Sequence, residues 1–508
     1  MALPNINFNL GQGGLGRPLA GEDFISAMMF VNSSLPSGFD SNNRIKKVNS
    51  LEEAEALGIV NDYSDETKST ATYLVTTKAA AGDTILVECT IIGNNGETEV
   101  VTLAEYTFVT ADATSTTTTA AAIKAAINAG TNVHGFTADN STATVTITAV
   151  AGQGIFLNSG TPYAVTVTGS IAGTLTQNVV AGVASKRAIE WYHVSEFFRL
   201  QPKGVLYVAY YATWSAGNVV LVRDYADGKI RQIGVFHDFS TAFATSQITS
   251  LQTYATASQT AHKPLSIVYG PEISGTASVA SLSDLTGLTS KNVTVTIGQD
   301  GAAYGYKLWK TTGKSITNLG AVLGAVAFSK VSESIAWVSK FNMSDGTELD
   351  VVNFANGEVY STISDNTLSS LNAYGYLFLR KLVGITGTYN TQPVTCTLPS
   401  SDYHYIYSNR TIDKATRVVR TSLLPDLSSP LTLNADGTLT DVSVAYFISK
   451  AGLNLDQMVR DGEISAFSVD IDTTQDVLST NTLVISIKIL PIGVADFITV
   501  NIGFTTSI

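Results

Sequence analysis

Cysteine is scarce: Cys89 and Cys396 are the two in 508 residues, and neither has a CxxC partner or a histidine at ligand spacing. That excludes a disulfide scaffold and a zinc module, and the thiols read as buried groups in a reducing compartment. Charge is scarce as well. Asp, Glu, Lys and Arg make up 14% of the chain, against about 25% in ordinary soluble domains. So few charges on so long a chain leave apolar surface for partners to cover, which points to assembly. An excess of positive charge is also missing. Thirty Lys and Arg face 42 Asp and Glu, a net charge of -12, whereas direct nucleic-acid binding needs a basic footprint. No apolar run reaches the roughly 18 residues of a membrane helix, so no membrane insertion of this chain is expected. Met1–Asn7 has neither the basic nor the apolar stretch of a secretory signal. The five histidines (His134, His193, His237, His262, His404) show no HxH, HxxxH or HExxH spacing, and no GxSxG, P-loop or paired-carboxylate motif occurs. No catalytic residue, cofactor or metal is therefore expected.

What is present is apolar material, 44% of the residues, enough for about three domains at roughly 150 residues each. The chain opens on strict alternation: Ile6, Phe8 and Leu10 point one way, Asn5, Asn7 and Asn9 the other. That is the period of a half-buried strand. Gly11, Gly13, Gly14 and Gly16 follow at once, so the strand has no adjacent partner and must find a sheet elsewhere. The GQGGLG run superficially resembles a dinucleotide loop. Such a loop opens a helix, whereas Arg17-Pro18-Leu19-Ala20-Gly21 comes next, and the run reads as a flexible tether. Ser50–Leu57 reads as a capped helix ended by Gly58.

Beyond Asn61 the composition changes. Residues 101–150 hold 14 threonines, and between Lys124 and Lys186 the one formally charged residue is Asp139. Short alternating segments (84–91, 106–109, 143–149, 163–168, 175–180) and one helix (117–129) predict a β-rich, sandwich-like insert. Charge returns at Ser185, where 185–200 is expected to be an amphipathic helix with Ile189, Val194, Phe197 and Phe198 on one side. Predicted strands at 205–211, 230–236, 265–269 and 292–297 then alternate with helices at 241–258, 316–337 and 367–383, a βαβ-type core. His237-Asp238, just after a strand, stands where an α/β enzyme places chemistry, but no nucleophile accompanies it. Two helices (411–424, 448–460) and three strands (464–471, 483–490, 497–505) close the chain as a small α+β unit. Its last strand is apolar at Ile498, Val500, Ile502 and Phe504. In the first of these helices Arg410, Lys414 and Arg417 recur at i, i+4, i+7, and Arg420 extends the stripe. This is either a solvated face or a positive patch for a negative partner.

The segments ALPNINFNLGQGGLGRP, SLEEAEALGI, WYHVSEFFRLQPKGVLYV, SNRTIDKATRVVRTSLLPDLSSPL and LVISIKILPIGVADFITVNIGF resemble contractile phage tail sheath proteins and the sheaths of related injection systems. The resemblance covers about residues 1–60 and 185–508. It implies an α+β and α/β multidomain chain with a strand-donating arm (1–20), a middle sheath domain (21–61 plus 185–402), the insert (62–184) as outer decoration, a C-terminal domain (403–496) and a second arm (497–508). Ile6, Phe8, Leu10, Ile498, Val500, Ile502 and Phe504 would then pair with neighbouring subunits, and Gly11, Gly13, Gly14 and Gly16 would act as hinge. Arg410, Lys414, Arg417 and Arg420 would face an inner tail tube. The implied partners are further copies of the chain in stacked rings or a helix, the tube, and baseplate and tail-terminator proteins. The implied location is the virion tail after assembly in the host cytoplasm. A non-contractile shell or adhesive protein is the alternative that the threonine-rich module supports.

Overall fold

The computed structural model describes residues 23–500, 502 and 504. The N-terminal strand call (Ile6, Phe8, Leu10) and its hinge glycines (Gly11, Gly13, Gly14, Gly16) lie outside the described residues. Contacts divide the chain into a larger unit, Ile25–Ser329 with Ser334–Asn409, and a smaller one made of residues up to Phe24, Lys330–Glu333 and the stretch from Arg410 onward. Helices and several separate sheets are mixed throughout.

The larger unit is organised by a seven-stranded sheet. Across it run Tyr376–Leu377, Val293–Thr296, Ser266–Gly270, Gln232–Phe236, Ile25–Val31, Val205–Tyr211 and Ile45–Val48. All neighbours are parallel except the last pair. Ile25–Val31 (ISAMMFV) is buried at every position, as a strand covered on both faces should be. Its neighbours fix the register, Met28 standing opposite Val208 on one side and Gly234 on the other. The Leu319–Phe328 helix packs on this sheet and is itself covered by the Lys186–Leu200 helix. Its sequence LGAVLGAVAF is apolar all round and buried from Leu319 to Ala327, the pattern of a helix with no solvent face.

Several expectations from the sequence are corrected here. The 185–200 helix forms as Lys186–Leu200, capped by the Ser185 hydroxyl on the Ala188 amide, but it is not amphipathic. Glu190, His193 and Glu196 are buried along with its apolar side chains, because neighbouring elements cover more than one face. The helix expected over 316–337 is confined to Leu319–Phe328. The one expected over 367–383 stops at Ala373. Gly375 then turns with φ +92, a conformation that ends a helix, and Tyr376–Leu377 joins the sheet edge.

The threonine-rich segment folds as a four-stranded sheet (Thr137–Ser141, Thr144–Thr148, Thr70–Thr77, Ala172–Val180) and a three-stranded one (Thr98–Thr107, Thr84–Ile92, Tyr163–Thr168). Both sheets and the Thr116–Ala129 helix share one apolar core, which includes Tyr73, Val87, Leu103, Ile123, Phe136 and Val145. Where this segment leaves and re-enters the chain, Thr67 and Val183 exchange backbone hydrogen bonds of 3.1 and 2.8 Å. Closely spaced ends let such a module interrupt a host fold without disturbing it. Cys89 is buried inside it and Cys396 elsewhere in the larger unit. Burial pushes the Cys89 thiol up to about 12, the behaviour of an inert structural cysteine.

Candidate functional site

In an open parallel sheet, ligands bind beyond the carboxyl ends of the strands where the strand order reverses. Here that point lies between Ile25–Val31 and Gln232–Phe236, and side chains occupy it. Asn32, the next residue after the first strand, donates through Nδ2 to Glu190 Oε1 at 2.7 Å, and both residues are buried. The His193 ring lies 4.7 Å from the ring of Phe236 and 6.3 Å from that of Phe30. Burial and the neighbouring His237 pull the His193 imidazole down to about 3, so it is neutral. His237 follows Phe236 and is wholly buried. Its Nε2 donates to the Ser315 carbonyl at 2.8 Å, and its Nδ1 stands 3.4 Å from Glu272 Oε2. Asp238 turns away, accepting from the Ser240 amide and hydroxyl. The His237-Asp238 pair singled out in the sequence is therefore not brought together as a dyad.

Glu190 supplies a measurable consequence. Burial pushes its carboxyl up to about 7 from the ordinary 4.5, with the Asn32 bond opposing the shift. A raised carboxyl holds its proton more tightly folded than unfolded. Stability therefore falls as pH rises from 4.5 to about 7, by on the order of 3 kcal/mol, and is level above that. Glu190→Gln is expected to match the wild type near pH 4.5 and to exceed it by that order at about pH 8. Urea unfolding at the two pH values checks this. A variant that keeps the wild-type pH slope would show that Glu190 is not its source.

The smaller unit holds the residues that the sequence marked for contact. Its core joins Ala415 of the Ile406–Leu423 helix, Leu455 and Met458 of the Asp441–Arg460 helix, and Ile464. Beside them run two antiparallel strands, Ile464–Asp470 and Ser486–Pro491, with Phe467 opposite Ile489. A two-stranded sheet is marginal alone, and this one has no third strand among the described residues. The strand expected over 497–505 is not formed among the described residues. Phe497, Ile498, Val500, Ile502 and Phe504 are 87, 82, 69, 92 and 111% exposed. The apolar alternation is present and, among the described residues, a hydrogen-bonding partner is not, and an isolated strand does not hold itself together.

The basic stripe also needs correction. Arg410, Lys414 and Arg417 do share a helix face, but acids of the same unit neutralise it. Lys414 Nζ lies 2.7 Å from Asp23 Oδ2 and 2.5 Å from Glu463 Oε1, and Arg417 Nη2 lies 2.8 Å from Asp23 Oδ1. Arg410 is 4% exposed, and it donates to the carbonyls of Lys330 and Asp23. Burial pulls its guanidinium down to about 10, Asp23 opposing, and it stays charged at neutral pH. Arg420 alone of the four is exposed. Nothing in the sequence flags Asp23, which stands 394 residues from Arg417.

Residues 3–392 match the family model for the DUF2586 N-terminal domain, and residues 402–508 match that for the DUF2586 C-terminal domain. The chain belongs to the DUF2586 family. No curated protein matches this DUF2586 chain. Solved structures similar to it are sheath proteins, the family that the sequence resembles. The helical sheath of the anti-feeding prophage in its contracted state is 15% identical, with 62% of this chain and 81% of that one covered and a TM-score of 0.44. The sheath tail protein of Desulfitobacterium hafniense is 12% identical, with coverage of 96% and 100% and a TM-score of 0.36. That of Listeria innocua is 10% identical, with coverage of 92% and 94% and a TM-score of 0.38.

Proposed function

We propose that this DUF2586 chain is the structural subunit of a contractile sheath. It polymerises around an inner tube by exchanging strands between subunits, and it contracts to drive the tube through the host envelope. The observation that carries the reading is the juxtaposition within one unit of a two-stranded sheet lacking a third strand and an exposed apolar segment patterned as a strand. Donor and acceptor on every copy make a self-propagating contact, and strand addition supplies its affinity through main-chain hydrogen bonds. Roughly 4–6 ladder bonds at about 0.5–1.5 kcal/mol net each give a few kcal/mol per arm before side-chain burial. The 5–10 segment, on its glycine tether, would serve as a second donor.

On this reading the remaining partners are the tube, baseplate and terminator proteins, and the assembled place is the virion tail. The exposed Arg420 is the tube contact to test, since Arg410, Lys414 and Arg417 are engaged within their own unit. The exposed apolar face of the arm is the feature to remove in a test of assembly. In the doubly substituted Val500→Asp, Ile502→Asp protein, electron microscopy is expected to show no cylinders, and sedimentation a single-subunit species. The melting temperature of that subunit should be unchanged, because neither side chain is buried. Cylinders as abundant as those of the wild type would refute strand donation by this segment.

A further inference from the structure

Lys307 is a buried lysine without a buried acid. It lies on the Tyr304–Thr312 helix of the α/β core and is 7% exposed. Among the described residues no carboxylate lies within ion-pair distance of its Nζ. That atom donates instead to the side-chain carbonyl of Asn94, Oδ1, at 2.9 Å. Buried ammonium groups are ordinarily paired, so the arrangement calls for an explanation.

Asn94 sits in the loop between the Thr84–Ile92 and Thr98–Thr107 strands of the threonine-rich module. The loop backbone is pressed onto the core helix. A methyl group on Gly96 would stand 2.3 Å from the Tyr306 ring and 3.2 Å from the Lys307 amide nitrogen. The aromatic ring of Tyr63 closes one side, its centre 5.8 Å from Nζ. An acid is at hand as well. The Glu99 carboxyl carbon would be 3.3 Å from a methyl group on Gly93, the residue preceding Asn94. The other nearby acid, Glu66, is engaged elsewhere, its carboxylate accepting the backbone amides of Gly152 and Gly154 at 2.7 and 2.6 Å.

We propose that Lys307 and Asn94 condense into an isopeptide bond that fastens the threonine-rich module to the α/β core. The Lys307 amine attacks Cγ of Asn94, a C–N bond forms, the Cγ–Nδ2 bond breaks, and ammonia leaves. No oxidant or further reactant is required. The proton passes from Nζ to the departing Nδ2 on the side of the contact that Asn94 exposes to water, so no other group is changed. Burial lowers the basicity of Lys307 against the opposing pull of Glu66 and Glu99, which favours the neutral nucleophilic amine. The product removes the anomaly, because a neutral amide replaces a buried charge.

The test is the intact mass of the purified full-length chain, with a tryptic map. The wild type is expected to be lighter than its sequence by one ammonia. Its digest should contain a branched peptide joining residues 79–124 to 292–310, uncut after Lys307. Lys307→Arg and Asn94→Ala should each recover the full sequence mass. A wild-type mass equal to the sequence overturns the proposal. So does an ammonia loss that persists in Lys307→Arg, which would place it in a cyclised Asn95-Gly96 instead. The branched peptide is read on the wild type, so the result stands even where a variant fails to fold.

Discussion

Gly320→Ala is expected to destabilise the larger unit, although the same change in an ordinary helix would stabilise it by about 1 kcal/mol. The reason is the approach of two backbones. An alanine methyl at Gly320 would stand 2.2 Å from the His193 carbonyl oxygen, and one at Gly324 would stand 2.7 Å from that of Phe197. The glycines and the carbonyls they meet are both spaced i, i+4, so the Leu319–Phe328 and Lys186–Leu200 helices touch along a stripe with no side chain between them. Main-chain atoms cannot swing aside as a flexible side chain can. The helices must therefore separate, loosening the layer that covers the central sheet. Overpacking of this kind costs about 1–3 kcal/mol and more where backbone must move, which outweighs the propensity gain. Chemical denaturation of the single variant measures the net effect, and Gly320→Leu should exceed it. A Gly320→Ala protein as stable as the wild type would mean that the helices do not pack this closely.

The same pair of helices illustrates what could be read from residues alone. The first helix was expected over 185–200 and forms as Lys186–Leu200, with Ser185 as its cap. The burial of Glu190 and His193 on that helix could not be read, since it depends on neighbours distant in sequence, Asn32 and Phe30 before them and the Leu319–Phe328 helix after them. The central strand Ile25–Val31 shows no alternation to detect. Both of its faces are covered, so apolar residues run unbroken from Ala27 to Val31. In the smaller unit, the helical spacing of Arg410, Lys414 and Arg417 was legible because it is local. Their environment was not, because the neutralising acids come from residue 23 at one end and residue 463 at the other. The contact between Asn94 and Lys307 is equally non-local and left no sequence signal. Terminal alternation in 497–504 was visible, but period 2 reports only which side chains share a face. It does not report whether a partner strand is present to make that face a sheet.

Asp23→Ala is expected to weaken the smaller unit by about 2–4 kcal/mol, the scale for breaking a buried pair reduced for the 21% exposure of the Asp23 side chain. Removing it leaves Lys414, Arg417 and the buried Arg410 facing one another, with Glu463 the remaining acid that Lys414 meets. Like charges in a poorly hydrated pocket then repel, with Glu463 and Glu333 offsetting part of that repulsion. The pH dependence has a definite sign. Burial works to raise the Asp23 carboxyl, but Lys414 and Arg417 outweigh it and hold the group below its usual 3.8. A depressed carboxyl stabilises the fold wherever it is ionised, so the contribution is present above about pH 4 and is lost as pH falls through the folded value. Wild-type unfolding free energy should therefore drop on acidification, and Asp23→Ala should lack that part of the drop. Asp23→Asn, which keeps the shape but not the charge, should behave like the alanine variant. Should the asparagine protein retain wild-type stability at neutral pH, charge would not be what holds Asp23 to this helix. On the strand-exchange reading the position matters beyond stability. Asp23 is the first described residue after the 5–10 arm and its glycine tether, and Glu463 immediately precedes the Ile464–Asp470 strand. Lys414 bonds to both, so a pull on the arm would reach the accepting sheet of the same subunit through this one side chain. Weakening it should leave cylinders able to form, while lowering the temperature at which they come apart.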